Sequence, residues 1–280
     1  MRRQSLNPCL STLFPKPFEI TGDEFDAALA AAAAAGADGI SLWSLHSMVL
    51  GDPSDQTAAR IRSHGLDVAC IEAIYGWAGA ASPDDAIADA EMSIQMCVDY
   101  GASTLGAVVL EPTLDDLDGP AANLAAVADR AAEAAVTVCV EYLPWSGIPD
   151  IGTCWDLLQR TERTNVGILF DSWHWHHQPG GPSGANAETL ASIPGEFIPL
   201  FQICDAQADP TDDPMGACMN DRPVPGDGVV DHAALFELFR EIGADPIVAP
   251  EVFNADLLTE GSAHAAQKIL DASRATVATW

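Results

Sequence analysis

The sequence predicts a single (β/α)8 barrel over residues 1–280, and three observations carry that prediction. The 280 residues are 48% hydrophobic, enough for one large core. Eight short apolar runs recur along the chain, with longer Ala-rich stretches between them. The runs are continuous rather than alternating, as expected of parallel strands buried on both faces. Repeated strand–helix alternation fits either a barrel or a doubly wound sheet. No Gly-rich fingerprint follows the first strand, which favours the barrel.

The runs follow in order. SLNPCLSTL (5–13) comes first, then a helical stretch DEFDAALAAAAAA (23–35) that opens on acids and stops at Gly36. GISLW (39–43) and DVACIEAI (67–74) are the second and third strands. DDAIADAEMSIQMCVDYGA (84–102) is helical and leads to TLGAVVL (104–110); AANLAAVADRAAEAA (121–135) is helical and leads to TVCVEYL (137–143). VGILFDSW (166–173) and FIPLFQICDA (197–206) are the sixth and seventh strands. After them, Asp205 to Asp231 is too polar and too rich in Pro and Gly for a helix. It predicts a long loop over the C-terminal mouth, where barrel active sites sit. DHAALFELFREIG (231–243) and PIVAPEVF (246–253) complete the set.

Composition narrows the function classes. No apolar run reaches the ~18 residues of a membrane span, and ALAAAAAAGADG (28–39) reads as a buried helix. MRRQSLNPCL lacks the apolar core of a signal peptide, so a cytoplasmic location is expected. Seven Cys, an odd number with no C-x-x-C pair, read as reduced core thiols. Forty-one acids against twelve bases give a net charge of −29, which repels nucleic acid and anionic lipid.

Polar residues interrupt the ends of the last four apolar runs: Glu141 in VCVEYL, Asp171 in ILFD, Gln202 in LFQIC and Glu251 in APEVF. Each alone reads as a helix cap or salt-bridge partner. Together, on consecutive strands, they converge on one point at the barrel mouth. Buried carboxylates are costly unless paired or metal-bound. An oxygen-rich set suits Mn²⁺, Mg²⁺ or Co²⁺ better than a structural zinc site.

The ordered combination VCVEYLPW, NVGILFDSWHW, FQICDA, DRPVPGDG and PEVF resembles the xylose isomerase-like TIM-barrel superfamily, the sugar phosphate isomerase/epimerase group that is also related to endonuclease IV. The resemblance is strongest from about residue 137 to 253. It implies one divalent ion, most often Mn²⁺ with Mg²⁺, Co²⁺ or Zn²⁺ as alternatives, held by Glu141, Asp171, Gln202 and Glu251. Many sugar epimerases of the family carry His where this chain has Gln202. The set with Gln resembles the 3-dehydroshikimate dehydratase branch.

His174 completes a D-x-x-H pattern, and the resemblance implies that it faces substrate. Arg222 matches the family's Arg that approaches substrate oxygens; it is one of ten Arg in an acidic chain. His46, Glu72 and Trp145 follow or lie in strands and are expected within reach of the pocket. Trp173 and Trp175 are candidates to wall it, one of them packing on helices instead. His176 and His177 read as loop residues, and His64, His232 and His264 as surface residues.

These parts allow proton abstraction next to a carbonyl, with Glu141 or Glu251 as base and His174 as acid or base. The leading expectation is a metal-dependent isomerase or epimerase of a polyhydroxylated ketone or aldose. A dehydratase of 3-dehydroshikimate or keto-inositol type is the runner-up, and a subunit of a carbon–glycoside-cleaving enzyme or a non-catalytic barrel remain alternatives. A DNA-repair endonuclease would need more His and less negative charge. The expected partner is a small polyhydroxylated molecule, and the family resemblance also implies a homo-oligomer.

Overall fold

The computed structural model describes residues 4–208 and 212–280. Seven strands form one parallel sheet in sequence order: β1 (Gly39–Trp43), β2 (Asp67–Ile74), β3 (Thr104–Val108), β4 (Thr137–Glu141), β5 (Val166–Asp171), β6 (Leu200–Ile203) and β7 (Ile247–Pro250). Helices join them and surround a nearly closed barrel, so the predicted fold class holds.

The first expected strand is different. Leu6 and Cys9 make isolated parallel bridges to Val248 and Ser41, and Leu10–Leu13 turns into a 3₁₀ helix. The segment still fills the gap between β7 and β1. Asn7 and Cys9 donate their N–H groups to the carbonyls of Val248 and Pro250, while the carbonyls of Leu6 and Pro8 accept from Asp38 and Ser41. Pro8 has no N–H to give, so the ladder on the β1 side is broken and no regular strand forms.

Side-chain alternation along the strands builds the interior in layers. Cys70, Cys139, Leu169, Leu200 and Ala249 form a buried apolar cluster inside the barrel. Two residues further along each of those chains come Glu72, Glu141, Asp171, Gln202 and Glu251. The period of two therefore stacks five polar side chains directly above an apolar floor, at the C-terminal mouth. Gly106 of β3 leaves space there, since a Cβ on it would lie 3.4 Å from Glu72 Cγ. On the outer face, Phe170 packs against Phe201 and Phe239 of the helix His232–Ile242.

The stretch after β6 holds a helix that its composition argued against. Pro214–Asn220 is helical because Asp213 caps it, accepting from Gly216 N–H, and Pro214 sits in the first turn, where its missing N–H costs nothing. Residues 209–211 of the expected loop lie outside the described residues, as do residues 1–3 of the N-terminal reading. All seven Cys are free and buried. Among the described residues no helix is long and apolar enough to cross a membrane.

Candidate active site

Asp171 ends β5 and starts the next element. Its Oδ1 accepts the backbone N–H groups of Trp173 (2.7 Å) and His174 (2.9 Å), capping the helix Ser172–His177. A carboxylate at a helix N-terminus is favoured by both the free N–H groups and the dipole. Its second oxygen, Oδ2, accepts from Arg222 Nη1 at 2.7 Å, and the same nitrogen lies 3.1 Å from Glu251 Oε2. Gln202 Nε2 donates to the other Glu251 oxygen at 2.9 Å. His174 Nε2 lies 3.2 Å from Glu141 Oε1.

The cluster is short of positive charge. Among the described residues, three buried carboxylates (Glu72, Asp171 and Glu251) and the half-buried Glu141 meet a single Arg, Arg222. Burial pushes Glu72 up to about 7, with Glu141 adding to it. Burial also pushes Glu251 well above the usual carboxylate range; Arg222 opposes this, and Glu72, Glu141 and Asp171 reinforce it. Burial alone would raise Asp171 too, but Arg222 and then His174 overturn that and hold it low. Gln202 Oε1 is buried with no hydrogen-bond partner among the described residues. Among the described residues, Glu141, Asp171 and His174 bring ligand atoms within 4.8 Å of one another, a group that could hold a divalent cation, and the orphaned Gln202 Oε1 lies in the same polar layer.

Arg222 is 2% exposed. Besides the two carboxylates it bonds the Cys218 carbonyl at 2.8 Å and lies over the rings of Trp173 and Phe253. It is reached from the stretch after β6, as expected of a residue placed above the mouth. Glu72 joins the same layer, and Trp145 is half-buried, edge-on to His174 at 5.5 Å.

Two of the expected substrate contacts stand elsewhere. Trp175 is 3% exposed and packs on Phe170 at 5.3 Å, in the layer between sheet and helices. Trp173 is the one beside the cluster, against Trp145 and His174 and under Arg222. His46 is fully buried, between Phe14 (5.0 Å) and Trp43 (5.6 Å), and its Nε2 donates to the Pro17 carbonyl at 2.9 Å. It anchors the N-terminal turn. His232, expected on the surface, is buried with Nε2 on the Cys204 carbonyl at 3.0 Å.

His46 carries a prediction of its own. Burial depresses it from 6.5 to about 4. The unfolded chain therefore takes up that proton first, and the contribution is present above 6.5 and lost as pH falls toward about 4. The gap is worth roughly 3 kcal/mol. Chemical denaturation at a series of pH values should show a shallower acid loss in His46→Gln than in the parent. Parallel curves would refute the assignment.

The strand-end pattern did not point to Cys9, Ser41, Tyr75 or Cys218. Cys9 Sγ lies 3.8 Å from Glu72 Oε2, and Cys218 Sγ lies 2.8 Å from Arg222 Nη2. Tyr75 follows β2 and feels the charges of Glu72, Glu141 and Glu251.

Known proteins share this frame. A family model described as xylose isomerase-like TIM barrel matches residues 29–275. Inosose isomerase from Bacillus velezensis is 29% identical over 136 residues, 48% of this chain and 45% of that protein. The matched segment thus spans less than half of that relative's length. 3-Dehydroshikimate dehydratase from Pseudomonas aeruginosa is 32% identical over 114 residues, 40% of this chain and 16% of that one. Among solved structures, the IOLI protein with a binding zinc atom superposes with a TM-score of 0.81 at 20% identity, covering 99% of both chains. D-Allulose 3-epimerase from Methylomonas sp. gives 0.74 at 16% identity, covering 99% of this chain and 98% of that one.

Proposed function

The chain belongs to the xylose isomerase-like TIM-barrel family, and from that membership we propose that it is a divalent-metal-dependent isomerase or epimerase of a polyhydroxylated ketone. The observation that carries the reading is the polar layer at the barrel mouth, where Asp171 and Glu251 share one Arg, Glu141 and Gln202 stand beside them, and Gln202 Oε1 has no partner among the described residues. These four would hold the cation, with Mn²⁺ preferred among ions that accept oxygen donors. When bound, the ion supplies Lewis acidity at a substrate carbonyl.

The residues of this chain do the rest. Glu141 or Glu251 takes the proton from the carbon beside the carbonyl. His174, whose Nε2 lies 3.2 Å from a Glu141 oxygen, returns or relays it. Arg222 remains charged: burial works against the charge, but Asp171, Cys218, Cys204 and Glu251 together outweigh it. It faces the negative charge that develops on substrate oxygen. Trp145, beside His174, offers a ring face for the apolar side of a sugar or cyclitol.

A second reading, loss of a β-hydroxyl in place of reprotonation, is favoured by Gln202 and by the resemblance to 3-dehydroshikimate dehydratase. Both readings begin with the same C–H cleavage. The test is incubation with an inosose, D-allulose and 3-dehydroshikimate in D₂O with Mn²⁺, followed by proton NMR. Deuterium entering beside a carbonyl is expected for one of them, and new aromatic signals from 3-dehydroshikimate, or a new olefinic signal from the inosose, identify the dehydratase. Glu251→Gln should abolish exchange and bound metal together, the latter by elemental mass spectrometry. No exchange on any substrate, with no metal retained, sinks the reading.

A further inference from the structure

We propose that the barrel mouth holds a second divalent-cation site, formed by Cys9 Sγ with Glu72 and Glu251 and selective for a zinc-class ion. It shares Glu251 with the ion proposed above but needs none of Glu141, Asp171 or Gln202, and it does not depend on the reaction assigned there.

Ligand atoms of Cys9, Glu72 and Glu251 all lie within 4.8 Å of one another, and all three residues are buried. Zinc binds thiolate at about 2.3 Å and carboxylate at about 2.0–2.2 Å. Two such donors on one ion in tetrahedral geometry lie roughly 3.5–3.7 Å apart. The Cys9 Sγ–Glu72 Oε2 separation is 3.8 Å, so an ion fits with only small side-chain adjustment. The backbone fixes this pairing. Cys9 is bridged to Ser41 on one side and donates its N–H to Pro250, the residue before Glu251, on the other.

Two further atoms point into the same place. Glu72 Oε1 is buried with no hydrogen-bond partner among the described residues, although Glu72 is only 5% exposed. Ser41 stands beside the same carboxylate, where its hydroxyl favours the charged form of Glu72 against burial. Unsatisfied oxygens at full burial are costly. A cation bound through Glu72 Oε2 would bring Oε1 of the same carboxylate within reach, with the Ser41 hydroxyl or a water as a further donor. Sulfur with oxygen is a borderline-soft donor set, which suits Zn²⁺ or Co²⁺ over Mg²⁺ or Mn²⁺. On binding, the S–H bond breaks, its proton leaves to solvent, and the sulfur lone pair forms the metal bond.

Cobalt separates the two sites. The full chain is stripped with a chelator and titrated with Co²⁺, following bound cobalt and near-ultraviolet absorption. Two Co²⁺ per chain are expected, with a thiolate-to-cobalt charge-transfer band. Cys9→Ser should lose the band and one equivalent. Asp171→Asn should keep the band, and so should Cys204→Ser, which removes the thiol 4.0 Å from Asp171. If Cys9→Ser does not fold, as judged by thermal melting, Glu72→Gln should give the same loss of the band. One Co²⁺ without a band overturns this site and leaves the first standing, as does a band that survives in Cys9→Ser. No bound cobalt at all overturns both.

Discussion

Replacing Arg222 by Met is expected to destabilise the metal-free protein by about 3–5 kcal/mol at neutral pH, the cost of leaving buried charge without its partner. Met preserves much of the apolar stem and gives up only the guanidinium, including its place over Trp173 and Phe253, so the loss reports the charged head rather than the stem. Arg222 Nη1 is the shared donor to Asp171 and Glu251, which are 0% and 4% exposed. For a domain of this size the change corresponds to a fall in Tm on the order of 10 °C.

The pH dependence has a definite sign. Arg222 helps hold Asp171 below its usual value against burial. That contribution is present above the unfolded value and is lost as pH falls through the folded one. The gap between parent and variant should therefore narrow toward acid. A divalent cation at the mouth should also narrow it, because carboxylates left without Arg222 bind the cation more tightly than in the parent, and each tenfold in Kd adds about 1.4 kcal/mol to the variant at saturation. Equal melting temperatures at pH 7 without metal would show that Arg222 is not the counter-charge of the cluster.

Why that Arg matters was only partly legible in the sequence. The polar layer was readable, since each member interrupts an apolar run and lies two residues beyond an inward apolar residue. Period-two alternation then decides which way each side chain points. Arg222 was placed over the mouth by its motif, but its partner Cys218 depends on the capped helix Pro214–Asn220, and Asp213 and Pro214 were read as loop residues. Trp173 and Trp175 could not be told apart before the helix start was known. Once Asp171 caps that helix, residues two apart point roughly 200° apart, and one ring faces the site while the other faces Phe170. Cys9 was the least accessible. Its role depends on a segment that completes the barrel without forming a regular strand, with hydrogen bonds to β1 on one side and β7 on the other. Such long-range register has no local signature.

His174→Gln is expected to slow deuterium exchange into substrate by 10²–10⁴-fold, about 3–5 kcal/mol in barrier, while leaving bound metal unchanged. The ring is held from both ends. Its backbone N–H is fixed by Asp171 Oδ1, and Nε2 meets Glu141 Oε1 at 3.2 Å. Nδ1 is buried without a partner among the described residues, which leaves it available to a bound substrate. Gln can place an amide N–H near Glu141 but cannot carry a proton, so the substitution separates orientation from proton transfer. If His174 only orients Glu141, the variant should retain most of the rate. If it relays the proton, kcat should fall with KM little changed, because an interaction made only in the transition state has been removed. Glu141→Gln should go further than His174→Gln, losing bound metal and exchange together, since Glu141 alone of this pair belongs to the oxygen-donor set.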